Sequence, residues 1–82
     1  MLNFKDKVVV ITGGASGVGY AIGAALAKEG AKVVLSDIES SALESAKANL
    51  EKDGLSVDIK QADVSDHDSM AALNKFVTSE VG

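Results

Sequence analysis

Eighty-two residues are enough for one small domain at most. With 46% hydrophobic and 24% charged residues the composition is that of an ordinary globular chain, and a net charge of −4 argues against a nucleic-acid-binding surface. The absence of cysteine excludes disulfides and thiolate metal sites, and the longest aliphatic run, Val8–Ile11, is far short of the ~20 residues of a membrane span or the ~7–15 of a secretory signal, so the expectation is a cytoplasmic protein.

Three apolar segments begin near Lys7, Lys32 and Ser56, and each is followed by a helical pattern. The first strand, Lys7–Thr12, carries Val8, Val9, Val10 and Ile11, so both of its faces are apolar and coverage on both sides of a parallel sheet is expected. In the helix that follows, Val18, Ile22, Ala25 and Leu26 recur at helical spacing as an inner face, with Gly30 at the C-terminal end. The second strand, Lys32–Ser36, repeats the first with Val33, Val34 and Leu35. A second helix is predicted from about Ala42 to Lys52. Ser41 and Glu44 form a capping-box pattern, Leu43, Ala46 and Leu50 make its apolar face, and Gly54 follows.

In the third segment Leu55, Val57 and Ile59 alternate with Ser56, Asp58 and Lys60, which suits an edge strand. A third helix starts near Asp66, with Ser65 and Asp68 in the capping pattern and Met70, Leu73, Phe76 and Val77 turned inward. The order is β-α-β-α-β-α. Two central strands and one edge strand suggest the spatial order 3-2-1, the first half of a doubly wound parallel α/β sheet. Right-handed crossovers then put the first two helices on one face, and send the third toward a fourth strand. The first strand would be left as a bare apolar edge.

The turn Thr12–Gly19 reads T-G-G-A-S-G-V-G. A helix N-terminus offers unpaired N–H groups and a partial positive charge to an anion such as a pyrophosphate, provided no side chain blocks the approach. Gly13 is assigned to the turn, Gly17 to close approach of the phosphate, and Gly19 to packing of helix on strand. A merely flexible glycine loop is the bland alternative, but a strand before it and a helix after it favour phosphate binding. Gly14 and Gly19 have P-loop separation, yet Tyr20 and Ala21 follow where lysine is required. The spacing is G-x-x-x-G-x-G, not the literal G-x-G-x-x-G.

Preceded by Thr12, this spacing resembles the cofactor motif T-G-x-x-x-G-x-G of the compact branch of the short-chain dehydrogenase/reductase family. The extended branch, which includes sugar epimerases, would have glycine in place of Ser16. The resemblance runs from Lys7 to the third helix and implies an NAD(P)-binding Rossmann fold, with Ser16 and the backbone of Val18 on the ribose and pyrophosphate.

Asp37 follows the second strand, 18 residues beyond Gly19, where an acid accepts both hydroxyls of the adenosine ribose. A 2′-phosphate there would meet a like charge. In the resembling family, NADP users often carry a basic residue at the positions of Ser16 or Ile38, so NAD is the expected cofactor. A solvated turn aspartate is the alternative. Asp63 and Val64 end the third strand, and the resemblance implies that they hold the adenine, the carboxylate accepting from its exocyclic amine. Alternatively Asp63 serves the positive end of the next helix.

Elsewhere the residues are expected to be inert. His67 reads as solvent-facing, Lys28 and Lys47 as solvated helix charges, and no metal site is expected. Tyr20 does not fit the family's Y-x-x-x-K pattern, because Ala24 stands where lysine is needed. The family's catalytic serine, tyrosine and lysine lie beyond a third helix, as does an Asn-Ala-Gly segment, so no catalytic residue is assigned. The expectation is therefore a partial domain over residues 1–82 that ends before the fourth strand. It would be the NAD-binding, by itself inactive, segment of an oxidoreductase that moves hydride between a nicotinamide cofactor and an alcohol or carbonyl substrate. The resemblance further implies a homo-oligomer for the complete protein, and the acidic charge and short aliphatic runs imply neither nucleic acid nor membrane as partner. Two alternatives stay open: an S-adenosylmethionine-dependent methyltransferase segment, which would usually carry an acid where Thr12 stands, and a non-catalytic dinucleotide-binding module.

Overall fold

The computed structural model describes residues 5–15 and 17–81, without the side chains of the last two. Three strands and three helices alternate: β1 (Val8–Thr12), α1 (Gly17–Lys28), β2 (Lys32–Asp37), α2 (Ser40–Lys52), β3 (Asp58–Gln61) and α3 (His67–Phe76), which runs on as a π-helical turn over Val77–Val81. Both strand pairs are parallel and β2 is central, which is the expected order. The third strand begins later than its alternation suggested, although Val57 just before it is buried.

Side chains alternate across a strand, so β2 serves two cores. Val33 and Leu35 pack with Leu43, Ala46 and Leu50 of α2, and with Tyr20, Ala24, Leu26 and Ala27 of α1. Val34 packs on the opposite face with Ala62 and with Leu73 of α3, flanked by Met70, Phe76 and Val77. Helices α1 and α2 thus share one face and α3 takes the other, as the crossover rule requires. β1 is not covered on both sides. Val9 and Ile11 are half-buried against the first face, while Val8 and Val10 on the other are 38% and 40% exposed.

The inner face expected for α1 is corrected. Val18 and Ile22 are 76% and 46% exposed and Ala25 is exposed; of the four, only Leu26 packs on the core. The side turned to the sheet is small: a Cβ on buried Gly23 would come within 2.7 Å of Leu35 Cδ2. The helix sits too close to β2 for large side chains, so the large apolar residues mark a different face from the one in contact.

Both capping boxes are also corrected. Residue Glu39, not Ser41, precedes the first turn of α2 and makes no side-chain cap. At α3 the cap is Asp66, whose Oδ1 accepts from the Asp68 amide at 3.0 Å, while the Ser65 hydroxyl donates backwards to Asp63. Asp66 is the residue that the chain brings into extended geometry just before the helix, which a cap needs.

Candidate nucleotide-binding site

In a parallel sheet every strand ends on the same edge, and the loops beyond those ends collect there. Here that edge holds a cleft of about 230 Å³ lined by Thr12, Gly13, Ser36, Asp37, Ile38, Ala62, Asp63 and Val64. Six of the sequence-predicted site residues are thereby brought together from three separate stretches of chain. Gly17, Val18 and Gly19 stand beside it as the first turn of α1. The assignment of Ser16 lies outside the described residues. A larger crevice of about 380 Å³ runs between the glycine turn and α2 along Ala15, Tyr20, Ala42, Ser45, Ala46 and Asn49. It contains no ionisable acid or base other than the tyrosine, so the charged chemistry selects the smaller cleft.

The turn itself is held open by backbone geometry. Gly13 and Gly17 have φ of +67° and +63°, where an L-residue is strained, and a Cβ on either would meet nothing within 4 Å. That leaves clear space in front of the first amides of α1, which have no partners within the helix. A side chain on Gly19 would collide with the Gly13 carbonyl oxygen, so Gly19 packs the helix against the turn rather than against the strand. Packing against the strand falls to Gly14 and Gly23, both close to Leu35, which the motif spacing did not distinguish.

Asp37 ties the site together. Its Oδ2 accepts from the Ala15 amide at 3.3 Å, its Oδ1 from the Glu39 amide at 3.2 Å, and its backbone carbonyl from the Ala62 amide at 3.0 Å. One residue thus joins the loops that follow all three strands. Two amides occupy two of the roughly four acceptor positions of a carboxylate, leaving the others for hydroxyl donors. The Gly14 amide donates to the Ser36 carbonyl at 2.9 Å, and Gln61 Nε2 donates to the Ile38 carbonyl at 2.9 Å, fixing the same loops from either side.

Asp63 lies across the cleft. Its Oδ1 accepts from the Ser65 hydroxyl at 2.7 Å and from the Ser65 amide at 2.9 Å, and its own amide donates to Ser69 Oγ at 2.8 Å. The two Ser65 donors favour the ionised form and lower its pKa below the usual carboxylate value. Because Asp66 caps α3, Asp63 is released from that duty. Its Oδ2 accepts no bond among the described residues.

These features fit a nucleotide: an anion-accepting helix end behind a clear glycine turn, two carboxylates for donors, and a groove between them. Tyr20 packs half-buried against the first core and has Ala24 one turn on, so it offers no acid–base pair. His67 is exposed at the start of α3, and no group of metal-binding side chains occurs among the described residues.

A family profile described as short chain dehydrogenase matches residues 7–82. The chain belongs to the short-chain dehydrogenase family. This decides between the hydride-transfer and methyl-transfer families in favour of the first. The levodione reductase of Leifsonia aquatica is 41% identical over an alignment of 81 positions that covers 96% of this chain and 30% of that protein. A short-chain dehydrogenase/reductase from Burkholderia phymatum, in complex with NAD, superposes with a TM-score of 0.84 at 37% identity, over 92% of this chain and 27% of its own. A metagenomic short-chain oxidoreductase in complex with NADP gives 0.85 at 28% identity, over 95% and 35%. This short-chain dehydrogenase chain therefore spans about a third of the length of each, and corresponds to the cofactor-binding part of the Rossmann fold.

Proposed function

We propose that the chain is the NAD-binding opening of a longer oxidoreductase that moves hydride between a nicotinamide cofactor and an alcohol or carbonyl substrate. Relatives roughly three times its length and the apolar edge of β1 support the view that more polypeptide completes the sheet. Thr12, Gly13, Gly17, Val18 and Gly19 would carry the pyrophosphate, Asp37 and Ile38 the adenosine ribose, and Asp63 with Val64 the adenine. The bound cofactor would supply a hydride when reduced and accept one when oxidised. The chain's own residues bind and orient it; the proton donor that a carbonyl requires is expected from residues outside this segment, which by itself is inactive.

The observation that carries the choice of NAD is the position of Asp37, fixed by two amides beside the turn with uncharged Ile38 next to it. A 2′-phosphate there meets a held negative charge. At 4 Å and an effective dielectric near 20 each unit of repulsion is about 4 kcal/mol, which solvent at this half-exposed site reduces. Calorimetric titration of the native polypeptide is expected to show NAD binding at least ten times tighter than NADP. Asp37→Ala is expected to narrow that ratio. Equal or reversed affinities in the wild type would overturn the assignment to NAD, and no binding of either would overturn the cofactor reading.

A further inference from the structure

Ser36 is 1% exposed, and its hydroxyl oxygen is buried without a hydrogen-bond partner among the described residues. Neither sequence periodicity nor motif spacing distinguishes it, since by pattern it is only the last residue of an apolar strand. A buried hydroxyl left unpaired is costly, and a ligand atom that pairs with it removes that cost.

Its position says where that partner comes from. Along β2, Val33 and Leu35 join the core under α1 and α2, whereas Val34 joins the core under α3. Alternation puts Ser36 on the face of Val34, and there it lines the cleft together with Thr12, Ala62 and Asp63. Strand register sets Thr12 beside it on β1 and Lys60 beside it on β3. Its backbone carbonyl is already taken by the Gly14 amide, so the hydroxyl is the group it has left to offer.

The chemistry of the surrounding groups narrows the ligand atom. Ionised Asp37 and Asp63 only accept hydrogen bonds. They suit ribose hydroxyls and an exocyclic amine, but they repel the lone pairs of a purine ring. A hydroxyl can donate to such a nitrogen. We propose that Ser36 donates its hydroxyl hydrogen to a ring nitrogen of the adenine, and so sets specificity for the base. This rests on the cofactor reading above. One donor and one acceptor then read the base together: Asp63 takes the amine hydrogen, and Ser36 supplies a hydrogen to the ring.

The test is calorimetry on the native polypeptide and its Ser36→Ala variant, with AMP, its 1-deaza, 3-deaza and 7-deaza analogues, and nicotinamide mononucleotide. Ser36→Ala is expected to weaken AMP binding about five- to tenfold and leave nicotinamide mononucleotide unchanged. One deaza analogue is expected to lose the same factor on the wild type and nothing further on the variant, the signature of a shared bond. In the absence of nucleotide, the variant should unfold at a denaturant midpoint no lower than the wild type. Unchanged AMP affinity, equal binding of all three analogues to the wild type, or a lowered midpoint would each overturn the role of Ser36. If wild-type protein bound no AMP, the cofactor reading itself would fall.

Discussion

The two faces of the sheet are made from the same aliphatic residues and end in different states. Under α1 and α2, Ala31, Val33, Leu35, Leu43, Ala46, Leu50 and Val57 form a buried cluster closed by two helices. Under α3 the buried apolar side chains among the described residues are Val34, Ala62 and Leu73, Val8 and Val10 remain exposed, and an apolar groove of about 290 Å³ runs along Val10, Met70, Leu73, Asn74 and Val77. The cleft between Asp37 and Asp63 opens toward this second face at the C-terminal edge. The first face carries the closed core, and on the function proposed above the second keeps room for a ligand and for further polypeptide. A face that is packed to completion has no room for a base; an open one needs something else to cover its apolar surface.

Paired truncations test this difference most strongly. Leu35→Ala leaves its cavity inside the closed cluster and is expected to cost about 4 kcal/mol in denaturant unfolding, near the upper end of the range for such changes. Leu73→Ala, beside the open groove, should cost about 2 kcal/mol, because neighbouring side chains and water can move into the space. Equal losses would mean that the faces are packed alike.

Gly23→Ala probes the closed face from the opposite direction. The added methyl meets Leu35 Cδ2, so a loss of about 1–3 kcal/mol is expected from overpacking, despite the better helix propensity of alanine. A gain in stability would show that α1 has room to retreat.

On the open face the anchors of α3 are polar, and their effects are smaller. Asp66→Ala removes the cap on the Asp68 amide and is expected to cost about 1 kcal/mol, read from the same unfolding curves. Ser65→Ala removes the hydroxyl that helps to hold Asp63 ionised, so NMR titration should show the Asp63 pKa rising toward its ordinary value. The sign for stability follows from that direction. The folded-state pKa is depressed, so the contribution of Asp63 is present above its unfolded value and fades as pH falls through the folded one. The variant should show less of this acid-side loss than the wild type.

Much of the fold was legible before any coordinates. Strand order, the faces of α2 and α3, and the arrest of α2 at Gly54 follow from period, spacing and turn chemistry, which act over a few residues. The glycine turn, the acid that ends β2 and the acid after β3 were legible for the same reason: parallel strands must end on one edge. Other features failed where a specific contact, near or distant in the chain, overrode the periodic pattern. The inner face of α1 was misread because Leu35, on the next strand, admits only small residues at Gly23. Ser65 was misread as a cap because Asp63, two residues earlier, captures its hydroxyl. Ser36 was overlooked because a buried hydroxyl looks like any other small core residue until its partners are known.

What the sequence by itself determined was therefore the ingredients of the site: a glycine turn between a strand and a helix, an acid at the end of one strand and another past the next, and the family to which they belong. Hydrophobic periodicity and motif spacing are local, and they survive without knowledge of what lies opposite. The tertiary structure alone decided which groups face one another across the cleft: that Asp37 bridges three loops, that Asp66 frees Asp63 from the helix end, and that Ser36 is left without a partner at the edge where a base would rest. The Asp37 bridge and the setting of Ser36 depend on residues more than twenty positions apart, and the division of roles between Asp63 and Asp66 depends on which of them the chain brings into cap geometry.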